Sequence, residues 1–274
     1  MRIVLNTICL EPNRWTPHKT PHVPLLDLLK PIAQAGFTYI DIWSPHVENL
    51  APDALRQVAQ RCKDLNLTVT RLSTYLTGDC LKPTAPPIEQ AAARLCQIAR
   101  DFGANSMRIF FGNKDFKDFT EDLWQTSLHH VQTLREEAQK AGITIAAETH
   151  PGSACNCLEG CQEVLRRTQE KMSLIYQFMS NDASTNAEHV RTLSPHIHAI
   201  HLQDRDENNA FTRLGQGVIG YDQILATAQA CGIDCDLVIE FVEGCKVPNP
   251  NAFDLHAVLQ TAIADRQYVE ARLS

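Results

Sequence analysis

Eight short runs of apolar and β-branched residues recur from one end of the chain to the other, separated by longer stretches of helical periodicity. They read as strands at Arg2 to Thr7, Thr38 to Ile42, Thr68 to Leu72, Ser106 to Phe111, Thr144 to Glu148, Ser173 to Gln177, His198 to Leu202 and Asp236 to Phe241. Between them, sets such as Leu26-Leu28-Leu29-Ile32-Ala33, Leu55-Val58-Ala59-Cys62 and Ala92-Leu95-Cys96-Ile98-Ala99 space apolar side chains three and four apart, as one face of a helix requires. Several helical stretches close on a glycine before the next strand, at Gly36, Gly103, Gly142 and Gly232. Glycine accepts the left-handed backbone of a helix C-cap, and Asn66 stands at the equivalent point before the third strand. Strand and helix alternating throughout is the pattern of a parallel α/β fold.

Eight strands with their helices in 274 residues fit a closed (β/α)8 TIM barrel. An open doubly wound sheet announces itself by a glycine-rich turn after its first strand, and Thr7 to Arg14 contains no glycine. No linker divides residues 1–274, so one domain is expected; Lys82-Pro83-Thr84-Ala85-Pro86-Pro87 forms a proline-rich loop after the third strand. Twenty-five Lys and Arg against 32 Asp and Glu give a formal charge of -7, which argues against a nucleic-acid partner. No apolar run approaches the roughly 20 residues of a membrane span, and the N-terminal run stops at Glu11-Pro12, short of a secretory signal. A cytoplasmic protein without a membrane partner is expected, and its ten cysteines are expected to be free thiols.

In a barrel the chemistry gathers where the strands end. Here those ends are polar: Asp41 and Trp43, Arg71, Arg108, Glu148 and His150, Gln177, His201 and Asp204, and Glu240. Glu148 and Glu240 each close an apolar run that should line the barrel, and burying such a carboxylate without a partner costs several kcal/mol. Two carboxylates, an imidazole and an amide oxygen on one rim form an oxygen-rich site for Mg, Mn or a similar divalent cation. The alternative is scaffold ion pairs to Arg71 or Arg108. Period two points Ala199 and His201 to one face of the seventh strand and His198, Ile200 and Leu202 to the other.

Taken together, Ala35-Gly36-Phe37-Thr38-Tyr39-Ile40-Asp41-Ile42-Trp43, Glu148-Thr149-His150-Pro151-Gly152, His198-Ala199-Ile200-His201-Leu202-Gln203-Asp204, Leu214-Gly215-Gln216-Gly217-Val218-Ile219-Gly220-Tyr221 and Glu240 resemble the xylose isomerase-like TIM barrels. That family holds sugar isomerases and epimerases, inosose dehydratase, hydroxypyruvate isomerase and endonuclease IV repair enzymes. The resemblance implies that Glu148, His201 and Glu240 bind a divalent metal (Mn, Mg, Co or Zn), with the strand-six residue as fourth ligand. That residue is usually aspartate in the epimerases; here it is Gln177, whose carbonyl oxygen can coordinate but brings no negative charge. The extra histidines of three-zinc endonucleases are missing, with Asn209 and Phe211 at the aligned positions.

The resemblance further implies a sugar or sugar phosphate isomerase or epimerase that moves a proton beside a carbonyl through an enediolate. Glu148 and Glu240 would be acid and base, and His150 a hydroxyl-binding group. A dehydratase of a cyclic polyol or keto sugar, or a silent carbohydrate-binding barrel, stands as the alternative. Arg71, Arg108, Arg205 and Arg213 are candidates to hold phosphate or carboxylate, the other reading being rim salt bridges. Trp43 is a candidate to stack on a sugar ring, or else packs beneath its loop. Gly215-Gln216-Gly217 marks a tight turn more readily than a phosphate cradle, and Cys155, Cys157 and Cys161 are read as free thiols, with zinc as the alternative. The family resemblance also carries an expectation of homo-oligomers.

Overall fold

The computed structural model describes residues 1–16, 19–77 and 85–273. The proline-rich segment therefore lies partly outside the described residues, at Lys82, Pro83 and Thr84. Eight parallel strands close into a barrel: β1 (Arg2–Asn6), β2 (Tyr39–Trp43), β3 (Thr68–Ser73), β4 (Ser106–Ile109), β5 (Thr144–Glu148), β6 (Ser173–Tyr176), β7 (Ile197–Leu202) and β10 (Asp236–Ile239), with β10 pairing β1. The helices α1 (Leu25–Gln34), α2 (Pro52–Asp64), α3 (Ile88–Asp101), α4 (Glu121–Lys140), α5 (Leu158–Arg167), α6 (Ala183–Leu193), α7 (Tyr221–Ala230) and α8 (Leu255–Leu273) alternate with them. This is a single-domain TIM barrel, and no described helix is long and apolar enough to cross a membrane.

The expected helix faces are the buried ones, with one shift: α1 buries Leu25 beside Leu28, Leu29 and Ile32, while Leu26 and Ala33 lie at the margin. Gly36, Gly103, Gly142, Gly232 and Asn66 all have positive φ, between 55° and 78°, as the C-cap reading requires. The main core lies between barrel and helices, while Val4, Ala146, Ile175, Ala199 and Val238 form a separate cluster inside the barrel. Ala199 belongs to the inner group and Ile200 and Leu202 to the outer one, so period two sends His201 inward.

Several strands stop before the expected residue: β4 at Ile109, β6 at Tyr176 and β10 at Ile239, leaving Gln177 and Glu240 one step beyond their ladders. An antiparallel hairpin not foreseen in the sequence, β8 (Asp204–Arg205) with β9 (Phe211–Thr212), follows β7. Two-residue strands carry too little alternation to stand out.

Candidate metal centre

Inside the C-terminal end of the barrel, β5, β7 and β10 bring Glu148, His201 and Glu240 together. One ligand atom from each lies within 4.8 Å of the others, and all three residues are buried. His201 Nδ1 stands 3.3 Å from Glu148 Oε1 and 3.3 Å from Glu240 Oε1. Glu240 is held by its backbone amide, which donates to the Leu202 carbonyl at 3.1 Å beyond the end of β10.

Gln177 is fixed by Thr149. The Gln177 amide N–H donates to Thr149 Oγ1 at 2.7 Å, and that hydroxyl donates to the Gln177 carbonyl at 2.6 Å. Its side chain is fixed by Gln203, whose Nε2 donates to Gln177 Oε1 at 2.8 Å and to Glu240 Oε2 at 2.7 Å. Gln203 Oε1 in turn accepts from Arg205 Nη2 at 2.9 Å. Neither Thr149 nor Gln203 is a candidate from sequence, although the period that points His201 inward also points Gln203 there.

This network places the Gln177 carbonyl oxygen 2.8 Å from Glu148 Oε1 and 3.2 Å from Glu240 Oε2. Acceptors so close repel unless a positive charge lies among them. Turning the Gln177 amide over would satisfy both carboxylates but would set its nitrogen 2.8 Å from the Gln203 Nε2 donor. Gln203 cannot turn to compensate, because Arg205 needs its oxygen and Glu240 its nitrogen. Three carboxylate or carbonyl oxygens and an imidazole nitrogen thus converge, a donor set that fits Mg, Mn, Co or Zn.

Electrostatics point the same way. Burial would raise the Glu148 pKa, but Arg108 and His201 hold it well below the usual carboxylate range. Arg108 Nη1 donates to Glu148 Oε2 at 2.6 Å. Burial would lower His201, yet Glu240 and Glu148 push it up to about 10. A cation taking Nδ1 would therefore displace a proton, which makes its binding stronger as pH rises.

The other expected substrate-binding residues divide. Arg108 reaches the cluster, with Phe110 and Tyr75 rings 4.6 and 5.3 Å from its guanidinium and with buried Nε and Nη2 lacking a partner among the described residues. His150 lies half-buried at the edge, its ring 4.8 Å from Phe110. Arg205 also donates to the carbonyl and side chain of Asn209, at 3.3 and 3.2 Å, and rests 4.1 Å over Phe211. Arg213 is exposed on the turn after β9.

Arg71 and Trp43 correct the sequence expectation. Arg71 is fully buried lower in the barrel, 3.4 Å from Asp41 Oδ2 and 3.3 Å from Asp236 Oδ2, so its charge is committed to the scaffold. Trp43 has no exposed surface; its Nε1 donates to the Tyr75 hydroxyl at 3.0 Å and its ring meets His46 edge-on. It supports Tyr75 and offers no face to a sugar.

The Gly-x-Gly segment is a turn around Asp204. Gly215 and Gly217 amides donate to Asp204 Oδ2 at 2.9 and 3.1 Å, and a Cβ at Gly217 would stand 2.2 Å from Asp204 Oδ1. Those N–H groups are therefore taken by a carboxylate of the chain itself. Cys155, Cys157 and Cys161 are free thiols, two of them buried.

The profile of the xylose isomerase-like TIM barrel family matches residues 29–260. The chain belongs to that family. Among curated proteins it is 22% identical to 3-dehydroshikimate dehydratase of Bacillus anthracis, over 74% of this chain and 81% of the relative. It is 25% identical to inosose dehydratase of Geobacillus thermodenitrificans (strain NG80-2), over 95% of each. Among solved barrels of the family's shape, D-psicose 3-epimerase from Clostridium cellulolyticum H10, solved with D-tagatose, covers 100% of both chains at 14% identity and a TM-score of 0.76. A xylose isomerase-like TIM barrel protein from Mycobacterium smegmatis, solved with magnesium, has a TM-score of 0.72 at 15% identity and covers 100% of this chain and 98% of its own.

Proposed function

We propose that the chain is a divalent-metal-dependent enzyme that moves a proton at the carbon beside the carbonyl of a small sugar or sugar phosphate, as an isomerase or epimerase. The observation that carries this reading is the crowding of Gln177, Glu148 and Glu240 oxygens beside His201, where among the described residues no lysine or arginine reaches Gln177 or Glu240 and Arg108 answers Glu148 alone. Glu148, Gln177, His201 and Glu240 would hold the ion, which would polarise the substrate's carbonyl oxygen.

The two carboxylates differ, and that suits a division of labour. Glu148 is pinned by Arg108 and stays ionised in the resting site, so it would anchor charge and would return a proton to carbon only after accepting one from a substrate hydroxyl. Among the described residues, Glu240 has no arginine or lysine at ion-pair distance and keeps only His201 and the Gln203 amide, so it takes the proton from carbon. Arg108, through its unpartnered edge, and His150 are placed to bind substrate oxygens; Arg205 serves the site through Gln203.

Dehydration is the second reading, favoured by the two curated relatives, which are dehydratases. It shares the proton removal and differs in losing a hydroxyl from the neighbouring carbon. The test is a metal-supplemented screen of sugars, sugar phosphates and cyclic keto polyols in deuterated water. Deuterium entering beside the carbonyl with mass otherwise conserved supports isomerisation or epimerisation, and loss of water supports dehydration. Neither outcome with any metal would overturn the proposal.

A further inference from the structure

A glutamine ligand has a weakness that a carboxylate lacks: its two ends are nearly equal in shape and opposite in hydrogen-bonding sense. Glu148 and Glu240 both favour the Gln177 nitrogen turned toward them, where it would bridge the carboxylates and fill the place of the ion. Thr149 fixes the Gln177 main chain but exerts no choice between the ends of its amide. The donor that opposes the carboxylates is Gln203 Nε2, and its own orientation is set by Arg205 on one side and Glu240 on the other.

We infer that Gln203, held by Arg205, is the positioning residue that keeps the carbonyl oxygen of Gln177 turned toward the metal centre. The inference rests on the metal reading proposed above. It also gives the β8–β9 hairpin a purpose, since Arg205 lies on β8, stacks on Phe211 of β9 and reaches Asn209 in the turn. Gln203 is 1% exposed, so water offers no substitute donor.

The test is calorimetric titration of the metal-stripped full chain with Mn2+. Gln203→Leu weakens binding roughly 10- to 100-fold, the usual loss when a residue that orients a metal ligand is removed. Arg205→Met, which leaves Gln203 in place and held by Glu240 alone, weakens it less. In a Gln177→Glu background both ends of the fourth ligand are oxygens, and Gln203→Leu then changes binding by no more than about threefold. Thermal melts show whether each variant is folded. Unchanged affinity in folded Gln203→Leu, or an equal loss with and without Gln177→Glu, overturns the inference. A neutron structure separates this outcome from failure of the metal reading. Whether or not the ion binds, a Gln177 nitrogen facing Glu148 in the unaltered chain defeats the role of Gln203, and an oxygen facing it that turns over in Gln203→Leu supports it.

Discussion

Across the lumen, from the start of β10 to the end of β3, Arg71 stands between Asp41 and Asp236, Ser73 donates to Asp41 at 2.9 Å and Arg2 donates to Asp236 at 2.8 Å. At the C-terminal end of the same lumen, Glu148, Glu240 and Gln177 turn oxygens on one another while one imidazole faces both carboxylates and Arg108 reaches only Glu148. Both groups are buried, and both are built from the residue types that sequence places at strand ends. In the first, a guanidinium answers both carboxylates, leaving Asp41 Oδ1 and Arg71 Nε without a partner among the described residues. In the second, oxygens crowd one another, and under the proposed reading that is where a cation would sit.

The contrast is broken most sharply through activity. Glu148→Gln and Glu240→Gln each lower turnover of the substrate found by screening by about 10³-fold or more, while circular dichroism at the assay temperature shows both variants folded. Full turnover in both variants would make the upper group scaffold like the lower. The converse is Arg71→Met, which leaves two buried carboxylates without their shared guanidinium and costs about 3–5 kcal/mol in urea unfolding. Unchanged stability would contradict its scaffold role.

A third measurement sharpens the difference between the groups. A divalent ion at 100 times its dissociation constant stabilises the fold by about 2.7 kcal/mol, read as a rise in melting temperature that a chelator reverses. The rise persists in Arg71→Met if that variant folds and vanishes in His201→Ala.

The smallest effect concerns an imbalance outside the lumen. Asp265 of α8 accepts from the Leu214 N–H at 3.0 Å, while its Oδ2 is buried without a partner among the described residues. Burial raises its pKa from 3.8 to about 7. A raised folded-state value means the stabilising proton is fully bound below 3.8 and is lost as pH rises through 7. Stability therefore falls across that window, and Asp265→Asn, which does not titrate, becomes the more stable form by up to about 4 kcal/mol above pH 8. Parallel stability curves for the two chains would refute this.

Much of the barrel was legible because parallel strands buried on both faces must be apolar along their length, which sets Ala146-Ala147 and Leu237-Val238-Ile239 apart from their surroundings. The same contrast exposed Glu148 and Glu240 as carboxylates ending apolar runs. Strand alternation also put His201 inside. Alternation does not tell which partner a long side chain reaches, and so Arg71 and Arg108, alike in sequence context, took different ones, Asp41 and Asp236 for the first and Glu148 for the second. Gln203 was visible only to a reader who followed the period past the end of β7, and the relay from Arg205 needs the hairpin, whose two-residue strands leave no periodic trace.

Anomalous diffraction from crystals grown with manganese tests the mismatch of donors and acceptors most directly. One peak at coordinating distance from Glu148, His201, Glu240 and the Gln177 carbonyl oxygen is the predicted result. An empty site, with the Gln177 nitrogen bridging Glu148 and Glu240, would contradict it.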